Sequence, residues 1–183
     1  MKPAPIQLLQ VMFRRVSVEW DERHAPAEPP NPFTTVFTFD GVDISTEFSI
    51  GTLDAEDERG RMFGIGLRVL VDNAEAVDDP DRKFSPYLID VEVRGMVLVP
   101  NGAESLAPAQ ELAAVNGASL LWSAIREQVL SVSSRMLAGP VMLPTVHFHD
   151  LKQKEEPLED APQALADKSK RTRSKKQASG KAD

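Results

Sequence analysis

Four stretches of this chain alternate apolar and polar positions with a period of two, the pattern of strands with one buried face. In the first, Ile6 to Trp20, Val16, Val18 and Trp20 alternate with Ser17 and Glu19, whereas upstream Leu9, Val11 and Phe13 hold the opposite parity. The switch falls at Arg14-Arg15 and predicts a β-bulge there. In the next clear strand Val42, Ile44, Thr46, Phe48 and Ile50 face one way, and Asp43, Ser45, Glu47 and Ser49 the other. Arg61 to Val71 puts Phe63, Ile65, Leu67, Val69 and Val71 on one face and Gly64, Gly66 and Arg68 on the opposite one. Those glycines weaken the strand and let another backbone or ring approach it. Tyr87 to Val99 turns Tyr87, Ile89, Val91, Val93, Val97 and Val99 inward and Asp90, Glu92 and Arg94 outward. A shorter apolar run, Phe33 to Phe39, precedes Asp40-Gly41, a hairpin signal that would pair it with the strand that follows. The polar faces carry Glu19, Asp43, Glu47, Asp90 and Glu92 against Arg68 and Arg94, so the outer sheet surface is expected to lean acidic.

Downstream the period lengthens. Leu121, Ile125, Val129, Val132 and Met136 recur every three to four residues, one wide face of a helix. Asn116 suits its N-cap, and Asn116-Gly117 would separate it from a helical turn within Asn101 to Val115. Gly139-Pro140 is a stop signal. Behind the stop runs an apolar strap of Val141, Met142, Leu143, Pro144, Phe148 and Leu151. Strands first and helices after predict an α+β domain, with helices on one face of an antiparallel sheet.

The period ends at Lys152, so the folded domain is expected to be 1–151. Lys152 to Pro162 is acidic with two prolines, and Asp167 to Asp183 holds seven Lys or Arg against two Asp. Neither can bury enough apolar surface to offset its ordering entropy, so 152–183 reads as a disordered tail, acidic and then Lys/Arg-rich. The whole chain carries −7, so the body is more acidic still and is a poor match for a phosphate backbone. The basic tail is the part suited to anionic lipid or RNA. There are no cysteines. Met1-Lys2-Pro3 lacks the apolar region of a secretory signal, and no apolar run is long enough to span a membrane; a cytoplasmic protein is expected.

Candidate chemistry is sparse. No phosphate loop, nucleophile elbow, zinc-protease helix or dinucleotide fingerprint occurs. His147-x-His149 with Asp150 could seed a metal site, since in a strand both imidazoles share a face, but no third and fourth ligand is placed by sequence. Neither catalysis, a bound metal nor a cofactor is expected.

The order of elements and several motifs resemble the SecB family of bacterial export chaperones. They are Val16-Ser17-Val18-Glu19 at the close of the first strand, Leu67-Arg68-Val69, and Val91-Glu92-Val93 before Gly95. Further along come Ile125-Arg126-Glu127, Ser134-Arg135 and Leu143-Pro144-x-Val146-x-Phe148. The likeness spans roughly 6–151. It implies a four-stranded antiparallel sheet with a long C-terminal helix and a short second helix on one face, assembled as a homotetramer, a dimer of dimers. It implies an ATP-independent holdase that binds unfolded preproteins and passes them to a SecA-type motor ATPase. By that likeness Leu121, Ile125, Val129 and Val132 lie in the oligomer interface, and Ile44, Leu143, Phe148 and Leu151 line the client groove. Glu19 and Glu92 would dock the motor. Lys152 stands where the family often has an aromatic residue, Pro157 shortens the second helix, and the tail is long and lysine-rich. Those departures leave two other readings open. One is a solitary SecB-like chaperone of a toxin–antitoxin system; the other is an acidic scaffold with a nucleic-acid- or membrane-binding basic tail.

Overall fold

A computed structural model describes residues 4–24, 36–54, 57–74 and 83–151. Four long strands form one sheet: β1 (Gln7–Trp20), β3 (Ser45–Asp54), β4 (Gly60–Val71) and β5 (Tyr87–Pro100). Their order is β1-β5-β4-β3, and every neighbouring pair is antiparallel. One long helix, α1 (Ala109–Ser133), packs on β4, β5 and β1. The described part of the chain closes with a 3₁₀ turn at His149–Leu151; a second helix and the tail fall outside the described residues. Among the described residues no helix is long and apolar enough to cross a membrane.

The core lies between the sheet and α1, as the alternation requires. All five inward apolar positions of β4 and the inward valines and isoleucine of β5 are buried. Register sets Val11, Phe13, Val16, Val18 and Trp20 of β1 beside Gly95, Val93, Val91, Ile89 and Tyr87. That single face holds because β1 is bulged between Phe13 and Arg15, where the parity switch predicted it. A second bulge lies between Leu8 and Gln10. Leu8 and Leu9 are both apolar, so the pattern hides it.

Two expectations are corrected. The helix does not start at Asn116 but seven residues earlier, at Ala109. Asn116 sits mid-helix and its Nδ2 donates back to the Leu112 carbonyl at 2.9 Å. Gly117 is needed there, because a Cβ would stand 2.5 Å from Ile65 Cδ1. Close approach to the sheet outweighs a propensity cost of about 1 kcal/mol. Nor does Asp40-Gly41 close a hairpin. It makes a turn, with Gly41 at φ 81°, but the runs on either side do not pair with each other. Instead β2 (Phe37–Thr38) pairs in parallel with β6 (Val141–Met142) in a separate two-stranded sheet.

Candidate polypeptide-binding surface

The strap after α1 is fixed, not loose. Ser133 Oγ accepts the Val141 amide at 3.0 Å, Arg126 Nε donates to the Leu143 carbonyl at 2.8 Å, and Trp122 Nε1 donates to the Pro144 carbonyl at 2.9 Å. Three side chains of one helix thus tie down three of the four strap residues from Val141 to Pro144. On its other side the strap is held by β2, and the Phe37 amide donates to the Pro140 carbonyl. Tyr87 is fully buried beneath, its hydroxyl donating to the Gly139 carbonyl at 2.9 Å. Trp122→Phe keeps an aromatic ring and removes the indole donor. It is expected to cost about 1 kcal/mol in chemical denaturation, with the fold unchanged.

This anchoring decides which apolar groups are free. Leu143 is completely buried in the core and offers nothing to a client. Ile44, Phe148 and Leu151 are half-buried, and Phe148 packs edge-on against Trp122 at 6.1 Å. Val36, Leu137 and Met142 are exposed, the second of them 62%. They bracket the β2–β6 pair: Val36 precedes Phe37, Met142 is in β6, and Leu137 lies in the turn before Pro140. The apolar surface that sequence places in the strap therefore sits on its outer side and around β2.

The helix stripe faces the sheet of its own chain. Leu121, Ile125 and Val129 are 0% exposed within a single chain, filled by its own sheet, and Val132 is half-buried. Within one chain Leu121, Ile125 and Val129 belong to the core, and Val132 alone of the four keeps some surface. The outward side of α1 carries Ser119, Leu120, Ser123, Glu127 and Ser131. A different surface is left open by β1, a 14-residue edge strand with β5 on one side only. Leu9, Met12, Phe13, Val16 and Trp20 are all exposed along it.

The outer sheet face is not acidic. The bulge brings Arg14 and Arg15 onto it, where they reach Glu92 at 3.2 Å and Asp90 at 2.6 Å. Arg68 grips Asp90 with Nε and Nη2 at 2.9 and 3.0 Å and reaches Glu47 at 3.4 Å. That grip, assisted by Arg15, pulls the Asp90 carboxyl down to about 2 against the opposing effect of partial burial. Glu92 is shared by Arg14 and Arg94, and Glu19 accepts from Ser17 Oγ at 2.8 Å. The two carboxylates expected to dock a motor are thus engaged within the chain.

Sequence reasoning missed one cluster. Asp21, directly after β1, is buried and its carboxylate accepts from His24 Nδ1 at 2.8 Å, Asn73 Nδ2 at 2.9 Å and the Arg23 amide at 3.1 Å. Asn73, at φ 54°, also exchanges two hydrogen bonds with the Ser85 backbone, and His24 stacks on Phe84 at 4.2 Å. The end of β1 is thereby pinned to both ends of the β4–β5 connection. An acid followed by Arg and His just past a strand was the available signal. His147 and His149 stack at 5.8 Å, and among the described residues no group of three or more metal-ligating side chains gathers.

Among solved structures, one with this likeness is a Mycobacterium tuberculosis SecB-like chaperone in complex with a peptide from an antitoxin. The alignment covers 78% of this chain and 91% of that one, at 16% identity and a TM-score of 0.35. So loose an overlap carries no structural argument, and the architecture rests on the strand order and register above. A scan against protein-family models and a search of curated protein sequences return no match.

Proposed function

We propose that the chain is an ATP-independent holdase of the SecB type, acting in the cytoplasm on unfolded preproteins and delivering them to a SecA-type motor. The observation that carries this reading is the exposed apolar set around β2 and β6, held on a strap that is itself rigidly hydrogen-bonded. A holdase needs apolar surface that stays presented without collapsing onto its own core. Each large side chain that a client covers contributes about 1.5–3 kcal/mol, and several weak contacts along one client add up while each releases quickly. The order of elements and the Leu143-to-Phe148 motif support the SecB type. Nothing in this reading needs a cofactor, a metal or a reaction centre.

In this reading the assembly is a homotetramer built as a dimer of dimers. The edge of β1 supports it, since five exposed apolar residues on a strand paired along one side only favour a second chain. The outward side of α1 is the surface left for contact between dimers. The motor would have to compete with Arg14 and Arg94 for Glu92.

The purified chain should slow the aggregation of a chemically unfolded substrate at stoichiometric ratios. Leu137→Glu, which alters an exposed turn, should weaken that protection several-fold without lowering the melting temperature. A wild-type chain that leaves aggregation unchanged would sink the reading. A second reading, a solitary chaperone guarding an antitoxin, is favoured by Lys152 in the sequence position where the family often has an aromatic residue and by the tail composition. It is separated by whether an antitoxin segment competes with a preprotein and whether the motor binds at all. If the chain is instead a scaffold, deleting 167–183 abolishes a salt-sensitive binding to RNA or anionic lipid.

A further inference from the structure

His147-x-His149 is a motif that the holdase reading leaves unused, and the fold gives it a shape. Phe148, between the two histidines, is half-buried and packs edge-on against Trp122 at 6.1 Å. Trp122 is itself fixed, since its indole Nε1 donates to the Pro144 carbonyl at 2.9 Å. In an extended stretch neighbouring side chains point opposite ways, so anchoring Phe148 sends both flanking imidazoles to the solvent side. There the two rings stand 5.8 Å apart, centre to centre, with 22° between their planes. Both residues are exposed, and among the described residues neither imidazole takes part in a hydrogen bond or an ion pair. The remaining histidine differs: His24 Nδ1 is committed to the buried Asp21 carboxylate at 2.8 Å. From the spacing alone no bound metal is expected at 147–149; the fold adds an anchored Phe148 that aims both rings one way.

That separation is close to what one metal ion asks of two imidazoles. With metal–nitrogen bonds of about 2.0–2.1 Å, two rings on one ion stand roughly 4.5–5.5 Å apart, so small side-chain rotations bring this pair onto one ion. Neutral imidazole suits zinc, copper and nickel, whereas magnesium and calcium prefer oxygen. The strap bonds to Ser133, Arg126 and Trp122 hold the backbone that leads into the pair, so part of the ordering cost of chelation is met on folding. Asp150, exposed and next in the chain, adds negative charge, and the whole chain carries −7, which favours a cation. No third ligand gathers among the described residues, so water would fill the other positions. We propose that His147 and His149 form a two-imidazole site for a divalent transition metal of the zinc class, open on its outer side. The site is separate from the exposed set around β2 and β6, and it stands whether or not the chain is a holdase.

The test is calorimetric titration of zinc into the full chain, free of any affinity tag, in a buffer that does not chelate. One zinc per chain should bind, and His147→Ala or His149→Ala should each weaken it at least about tenfold. Both positions are exposed, so both variants should keep the wild-type melting temperature. His24→Gln should leave the affinity unchanged, and with no cysteine in the chain no thiolate can stand in. Excess magnesium should not compete. A free peptide spanning 145–151 carries the same two histidines without the fold's hold on Phe148, and should bind at least about tenfold more weakly than the chain. Equal affinity of chain and peptide overturns the proposal, as does unchanged binding in either histidine variant. So does one zinc for two chains, which would make the pair a contact between copies. Aggregation suppression in the presence of a chelator should not differ between wild type and His147→Ala, so failure of the metal site and failure of the holdase reading are distinguishable.

Discussion

Leu121→Ala is expected to destabilise the chain by about 3–4 kcal/mol, the range for truncating a buried leucine in a core that cannot collapse. For a domain of this size that lowers the melting temperature by roughly 10 °C. Leu121 is completely buried, and its Cδ2 stands 2.9 Å from where a Gly95 Cβ would be, so helix and sheet have no slack to close the cavity. The loss should be the same at every protein concentration, because the contacts removed lie within one chain. A surface shared between chains behaves otherwise: its truncation shifts the melting temperature in a concentration-dependent way. Thermal unfolding across a wide dilution series, with sedimentation alongside, separates the two. A mutant that keeps its stability when dilute and only loses assembly would return Leu121 to an interface.

The second large effect is expected at Asp21. Asp21→Ala leaves His24, Asn73 and the Arg23 amide without their common acceptor, two of these groups being wholly or largely buried. A lost charged hydrogen-bond centre of this kind costs about 3 kcal/mol. The carboxylate also gives a pH signature. Burial alone would raise its pKa, but the donors from His24, Asn73 and Arg23 outweigh that and hold it well below the usual carboxylate range. Asp90 is depressed in the same direction. A carboxylate depressed on folding stabilises the chain fully above its unfolded pKa of about 3.9, and the contribution fades as pH falls toward the folded value. Stability of the wild type should therefore be level near neutrality and fall below about pH 4. Asp21→Ala should be less stable at neutral pH and show a shallower acid decline. Denaturation midpoints across that pH range test it; equal acid slopes would reject it.

What the sequence made legible was whatever repeats locally. The faces of β3, β4 and β5 follow from alternation, and the Arg14-Arg15 bulge follows from one break in parity. The helix start was obscured because Asn-Gly is a strong local breaker, and only the sheet it must approach explains Gly117. The parallel pairing of Phe37 with Val141 joins distant segments, so no local pattern announces it. The Asp21 cluster draws on three separate segments for the same reason. The strap behind the helix was legible as an apolar run, but which of its residues point outward depends on Trp122, Arg126 and Ser133. Leu143 and Met142 differ in sequence by one place and in accessibility completely.

The small parallel sheet has a consequence for the order of folding. Pairing Phe37 with Val141 closes a loop of 104 residues, whereas the β4–β5 pairing closes a far shorter one. The longer closure costs about 1.5 kcal/mol more in chain entropy, and only two register pairs are formed in return. The four-stranded sheet can therefore assemble first, with this joint seated last. Until it seats, a newly made chain carries its own sticky segment in the open, beside the surface that would receive another protein's.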